Sequence, residues 1–498
     1  MSAIITEKFR QHNATQFFES FSEASKSTYY LFVGKATAYT SGTTGGSDSS
    51  PPTPSDSPTD TEFYAWDSML AAKNVTSSDI TYSIPRRNWA NGTTYDMYDD
   101  NISSSNTTTS GASNLYDSTF YFMTSDYRVY KVLDNNDGSA YSGAEPTSES
   151  TSPFELGGYV LKYMYSITTS EAAKYLTSDF IPISDVSTVS AAAVDGKIES
   201  IKVTAGTGYT NGTYYAAVYG DGTSAGTSSG AIIRITVASN QIQSFGLTAG
   251  TDTTIHSGGA GYTFGTVNLG SGYTFSDSGL SSASNMGGSG GAIEVVISPK
   301  NGHGNSAIAE LGGHYVMSAT TLTQAENDDI TTSNDFRQVG LVVDPTNYGT
   351  STVATASTRR QTFVVKAASS SGTFEVDEKI TQASTGAVGK VVEWDSTLSL
   401  LYFQQERFGD FGTNSTTGDH SVFTGAKLIT GGTSSATLTP TTDSETITLA
   451  NNNTLSTTSG YANPELQPDS GNIVYLENRK PIQRDSDQTE DIKLIIEF

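Results

Sequence analysis

Residues 470–498 read SGNIVYLENRKPIQRDSDQTEDIKLIIEF. A strand-like run, Ile473-Val474-Tyr475-Leu476, leads into Glu477-Asn478-Arg479 and Pro481-Ile482. A polar link from Asp485 to Glu490 follows, and a second apolar run carries from Ile492 through Leu494 to Phe498. Chain ends fray unless something ties them down. Apolar character kept to the last residue therefore predicts that the final strand is built into a sheet.

Working back from that end, other segments read as strands too. Residues 119–133 (TFYFMTSDYRVYKVL) predict two strands joined by a tight turn, and 158–167 predict another, followed by a short helical turn at 170–176. Tyr29-Tyr30-Leu31-Phe32-Val33 predicts a buried strand that Gly34 ends. A helix is expected before it, with Asn13 and Gln16 at capping-box spacing and Phe17, Phe18, Phe21 and Ala24 on one face. Residues 41–60 read as a Pro/Gly/Ser linker or loop tip and 61–73 as a second helix. From about 195 the texture changes to alternating runs between Gly-rich turns, the pattern of an all-β module. Three units recur there, at Gly206–Thr210, Gly259–Thr263 and Gly270–Thr274, each setting a Tyr beside glycines. A second module at about 355–445 offers strands at 363–365, 387–392 and 398–403.

The expected fold is mainly β with a few short helices. It has several domains and a discontinuous β-sandwich-like core (1–190, 299–350 and 447–498) carrying two inserted all-β modules (191–298 and 351–446). Insertions are tolerated where the chain is already exposed, so both modules are expected to protrude.

Composition limits function. The 498 residues include no Cys, 48 Gly and 52 Asp and Glu against 27 Lys and Arg, a formal net charge of −25. Without Cys there is no disulfide, no thiol chemistry and no Cys-built zinc site. Such acidity argues against a nucleic-acid groove, which needs a basic field. The start, MSAIITEKFRQHN, lacks a signal-peptide pattern, and no apolar run reaches the roughly 20 residues of a membrane helix. A soluble protein made in the cytoplasm is expected.

Chemistry-bearing patterns are weak. Gly206, Gly208 and Gly212 have G-x-G-x-x-x-G spacing with no helix to follow, which is not a dinucleotide turn. Asp134-Asn135-Asn136-Asp137-Gly138 with Glu145 starts like a calcium loop, but Gly138 and Ser139 occupy the wrong positions, and a turn is the better reading. His12, His256, His303, His314 and His420 show no metal-helix spacing. G-x-S-x-G occurs around Ser224, Ser228 and Ser289 without the strand–turn–helix context of a nucleophile elbow. Arg86-Arg87 beside Trp89 reads as an arginine pair forking onto carboxylates at a fold or subunit contact. No catalytic, cofactor or metal residue is assigned, and an enzyme is not expected.

Thr6-Glu7-Lys8-Phe9-Arg10, the strand at 29–34, Ile84-Pro85-Arg86-Arg87-Asn88-Trp89, Gly158-Tyr159 with Tyr163–Ile167, Phe336-Arg337-Gln338-Val339 and the C-terminus from Ser470 together resemble one family. It is the baseplate wedge proteins of T-even-like contractile-tailed phages, specifically the member added early to the wedge. IPRRNW and ENRKPI…DQTEDI are specific as a pair. The Gly/Thr-rich modules look similar to elaborations carried by cyanobacterial phages. The resemblance implies a β-rich structural subunit of the virion tail baseplate, assembled in the host cytoplasm, without enzymatic activity or cofactor. It also implies a homodimer that docks onto other wedge proteins and binds neither nucleic acid nor membrane. Residues expected to support the core or its contacts are Arg86, Arg87, Trp89, Phe336, Arg337, Tyr475, Glu477, Asn478, Arg479, Ile492, Leu494 and Phe498. The alternative reading is a glycan-binding tail fibre, adhesin or depolymerase, in which the Gly-x-Gly-Tyr-Thr tyrosines of the first module face sugars.

Overall fold

The computed structural model describes residues 5–39, 45–57, 61–227, 230–270, 281–405, 420–450 and 452–498. It is mainly β, with several sheets and short helices. The chain divides into two compact units: Met1–Gln16 with Thr81–Met317 and Ile495–Phe498, and Phe17–Ile80 with Ser318–Leu494.

In the first unit, the predicted strand pair appears as Tyr121–Met123 and Arg128–Asp134, beside Tyr159–Ser166 and Phe154–Leu156. Tyr159–Ser166 is buried along almost its whole length. Its alternation sends Tyr159, Leu161 and Tyr163 into one apolar cluster and Met164 into another. A long antiparallel ladder joins Ser200–Tyr209 to Gly287–Val296, with Ile201 opposite Val295 and Val203 opposite Ile293. Together with Gly212–Gly220 and Ile232–Ala238, this ladder encloses a core that includes Ile233, Ile235, Val218 and Met286.

The glycine–tyrosine units belong to that core. Tyr209 and Tyr262 are buried, and their hydroxyls accept from the backbone N–H of Gly291 (2.8 Å) and Ala231 (3.0 Å). A Cβ on Gly288 would meet the Tyr209 ring at 2.2 Å, and one on Gly222 would meet Tyr262 at 2.3 Å. The glycines let backbone lie against the rings. Two of the three tyrosines thus have no face open to sugar. The third unit lies outside the described residues beyond Gly270.

The core of this unit also holds charge. Lys131 is fully buried. Its Nζ donates to Glu310 (2.7 Å) and to His303 Nδ1 (2.9 Å), and sits 4.0 Å from the centre of the Tyr98 ring. An ammonium has no lone pair, so Nδ1 accepts and the ring proton is on Nε2. Burial pulls Lys131 below its usual pKa against the opposing pull of Glu310. Burial, then the nearby lysines, holds His303 well below the usual imidazole range.

In the second unit, a five-stranded sheet runs in the order Thr358–Arg360, Met69–Val75, Tyr29–Gly34, Phe336–Val343, Asn472–Ile482. Leu31 faces Leu341, which in turn faces Tyr475. The five strands come from far-separated parts of the chain. Nearby, Leu400–Gln404, Ala387–Asp395, Lys379–Gln382, Ile429–Gly431, Thr437–Pro440 and Phe363–Ser371 pair in turn. Leu400–Gln404 also pairs with Phe363–Ser371, so the six close into a barrel around Val365, Ile380, Val391, Leu401 and Phe403. Closure leaves these strands no free edge.

Several expectations are corrected. The first helix spans Glu7–Glu19, so Asn13 and Gln16 lie within it, and Thr6 Oγ1 accepts from the Phe9 N–H instead. Phe21 lies beyond the helix and stacks on Tyr29, with centroids 4.0 Å apart. The second helix covers only Phe63–Ser68, because Met69–Val75 is drawn into the sheet by strands on both sides. The 41–60 linker is partly docked: Asp48 and Pro52 both contact strands of the five-stranded sheet (below), while 40–44 and 58–60 lie outside the described residues. Around Asp134–Gly138, the Asp134 and Asn135 side chains accept from the N–H of Asn136 and Gly138, and Glu145 turns away to hold Ser125, so the segment is a turn. Ser228 lies outside the described residues.

His303 yields a pH prediction. A base whose folded pKa is depressed contributes stability above its unfolded pKa, and that stability is lost as pH falls through about 6.5. Denaturant titrations from about pH 8 to 5 should give a His303→Gln variant a shallower loss than the parent chain, by up to about 1.4 kcal/mol per pH unit. Parallel profiles would show that His303 is protonated equally in both states.

Candidate assembly surfaces

The expected contact residues gather at two places. In the second unit, Arg337 is buried and forks onto Asp48: Nε donates to Oδ1 and Nη2 to Oδ2, each at 3.0 Å. Nη1 reaches Asp335 (2.8 Å) and the Ala36 carbonyl. Burial works against the guanidinium charge, but Asp48 and Asp335 outweigh it and lift its pKa. Phe336 beside it is buried in the same strand, opposite Ile482.

Across the next ladder, Asn478 accepts from Gln338 Nε2 (2.8 Å) and donates to the Pro52 carbonyl (2.9 Å). Glu477 takes Arg479 (2.9 Å) and the Tyr475 hydroxyl (3.1 Å). These four residues belong to Asn472–Ile482, the edge strand of the sheet. Val474 on it is 48% exposed, and Arg479 and Lys480 are exposed as well. An edge strand turns a row of backbone N–H and C=O groups outward and can template another strand.

The terminal strand Thr489–Glu497 lies beside Tyr315–Thr323. The Thr321 hydroxyl donates to Asp491 (2.6 Å), Leu494 is buried, Ile492 is half-buried, and the Phe498 N–H donates to the His314 carbonyl (3.2 Å). The turn before it carries a residue that sequence reading missed. Arg484 is buried against Glu490 (2.9 Å) and donates to the carbonyls of Gln324 (2.7 Å) and Thr331 (2.7 Å). Its signal was faint: one basic residue in a link that reads as solvated.

The second place is in the first unit. Arg87 donates to the Tyr116 carbonyl (2.8 Å) and lies 4.4 Å over the Tyr121 ring, while its Nη1 is buried without a partner. Arg86 takes Asn88 (2.9 Å) and the Thr177 carbonyl (2.7 Å). The arginine pair therefore forks onto carbonyls and a ring, not carboxylates, because this pocket offers backbone ends first. Trp89 meets Tyr141 edge-to-face at 5.8 Å, with Nε1 buried and unpartnered. Arg87 opens onto a polar cleft of about 560 Å³ that also receives Glu7, Arg10, His314 and Glu497. Arg10 bonds Glu497 (2.8 Å) and approaches His314 Nε2 (3.3 Å). Burial, despite Glu7, keeps His314 below its usual pKa. Three stretches far apart in sequence thus meet in one cleft: TEKFR, IPRRNW and the C-terminus.

This geometry defines a β-rich protein that presents an open sheet edge and a polar cleft built from its own termini. Among the described residues, no group of three or more His, Asp or Glu is placed to hold a metal. The model of the family described as "Bacteriophage T4, Gp8" matches residues 3–145 and 441–498. That match supports a structural protein of a phage baseplate, consistent with a non-enzymatic role. No curated protein matches the chain.

Arg484→Ala should destabilise the chain by about 3 kcal/mol, since removing one partner strands a buried Glu490. Arg484→Lys should recover less than half of this, because an ammonium cannot reach both carbonyls and the carboxylate as the fork does. Chemical denaturation midpoints check both. A loss below about 0.5 kcal/mol would mean that Arg484 does not anchor the turn between the last two strands.

Proposed function

We propose that this chain is a subunit of the baseplate wedge of a contractile phage tail, added early in wedge assembly in the host cytoplasm. It acts by docking other wedge proteins and by pairing with a second copy of itself. The observation that carries this reading is the Asn472–Ile482 edge. It lies within the matched residues, it pairs on one side only, through a ladder with two register shifts, and it leaves Val474, Arg479 and Lys480 exposed. The polar cleft of the first unit, also walled by matched residues, is the second docking surface. The chain segments 191–298 and 351–446 are insertions into this scaffold that reach neighbours outside the wedge core. Obligate contacts of this kind bury roughly 2,000 Å² or more.

The double substitution Val474→Asp with Arg479→Glu tests the edge. Sedimentation should show a shift from dimer to monomer, and binding to wedge partners should fall at least about tenfold, a change of about 1.4 kcal/mol, with thermal unfolding unchanged. A variant that still dimerises and enters the wedge normally would rule the edge out.

A further inference from the structure

A pocket of about 210 Å³ in the second unit lies apart from the edge strand and the cleft, and shares with the contacts above only Thr331, whose carbonyl accepts from Arg484. Asp328, Asp329, Glu393 and Asp395 line it, against a single basic residue, Arg360. We propose that this pocket binds an organic cation: a guanidinium or alkylammonium head on an apolar stem.

Charge comes first. Four carboxylates face one guanidinium, and that guanidinium is taken up by the carbonyls of Thr362 and Asn463 (2.8 Å). Three of the carboxylates accept hydrogen bonds from neutral groups. Asp329 accepts from the Thr358 hydroxyl (2.6 Å), Glu393 from the Thr331 hydroxyl (3.1 Å), and Asp395 from the N–H groups of Thr397 and Leu398. Burial, then Glu465, pushes Asp329 up to about 6 against the Thr358 bond and the nearby Arg360 and Arg359, and burial raises Glu393 too. A cation entering here relieves both.

A second observation is independent of the acids. Thr362 is 3% exposed and lines the pocket, yet its hydroxyl has no hydrogen-bond partner. A buried polar atom left unpaired costs about 1–3 kcal/mol, and a ligand N–H would satisfy it. Leu70, Tyr402 and Leu449 supply an apolar wall. That wall suits a methylene stem and gives a hydrated inorganic ion nothing. Among the described residues the carboxylates are also too dispersed to chelate a metal.

The same chemistry has two sources, an arginine or lysine side chain of another protein or a free polyamine. Calorimetric titration of the full chain at low salt separates them, using N-acetyl-arginine amide, putrescine and the neutral N-acetyl-citrulline amide. At least one cation should bind saturably and the neutral analogue should not. Tighter binding of the arginine derivative assigns the pocket to a protein side chain, and tighter binding of putrescine to a free polyamine. Asp329→Asn and Glu393→Gln should each weaken binding at least about tenfold, and Thr362→Val severalfold with unfolding temperature unchanged. In the unsubstituted chain, lowering the pH from about 7.5 to about 5.5 should also weaken binding, as Asp329 takes up a proton. This arm stands even if a carboxyl variant fails to fold. The proposal is overturned if neither cation binds saturably up to about 10 mM, if the neutral analogue binds equally, or if binding ignores both pH and all substitutions that fold.

Discussion

The ladder between Phe336–Val343 and Asn472–Ile482 is the contact on which the second unit rests. Phe336–Val343 is a central strand, held by Tyr29–Gly34 on one side and by the C-terminal segment on the other. The packing is close enough that a Cβ on Gly340 would fall 2.3 Å from Phe32 and 2.8 Å from the Tyr475 carbonyl. Such non-local pairing requires long loops to close before any contact rewards them. The segment from Asn472 to Glu490 is therefore anchored twice more: Asn478 bridges Gln338 and Pro52, and Arg484 bonds two carbonyls and Glu490. The conformational entropy lost in closing those loops is offset by several modest bonds acting on one segment.

The same unit treats its strand edges in two ways. The six strands between Phe363 and Pro440 close on themselves and leave no edge to pair. The five-stranded sheet ends on Asn472–Ile482, which carries an exposed Val474. A bare edge invites aggregation unless it has a partner or is blunted by charge. Arg479 and Lys480 blunt one half of this strand and Val474 leaves the other half adhesive, a combination suited to one specific partner.

How much was legible in the sequence depended on whether a signal was local. Runs of apolar, aromatic and β-branched residues at 119–133, 158–167 and 470–498 exposed the strands because the strand formers stand next to one another in sequence. Met69–Val75 was misread because its Met-Leu-Ala-Ala start favours helix, and strands distant in sequence override that preference. Asp48 looked like linker because its partner, Arg337, lies in a strand far along the chain. The polar cleft was invisible as a site, although its Arg87 was singled out. Arg10, His314 and Glu497 come from three separate places, and nothing in the spacing of each announces the others. Arg484 and the Lys131–Glu310 pair were missed for the same reason: a buried charge is marked by its partner in space, and its own sequence neighbours are silent.

The distribution of basic side chains links these features. With 27 Lys and Arg against 52 Asp and Glu, cations are the scarce component of this chain. Arg337, Arg360 and Arg484 are all nearly buried and all donate to backbone carbonyls. Such carbonyls have two lone pairs and few other donors within reach once the segments carrying them leave regular structure. Arginine serves there because its planar fork meets several acceptors at once and stays charged when desolvated. Arg337 and Arg484 take carboxylates as well, whereas Arg360 donates to the carbonyls of Thr362 and Asn463. Asp329 sits within the field of Arg360 and Arg359 and is still raised by burial, and burial raises Glu393 as well. Around Arg360 an acidic excess is left, and the proposed cation would balance it.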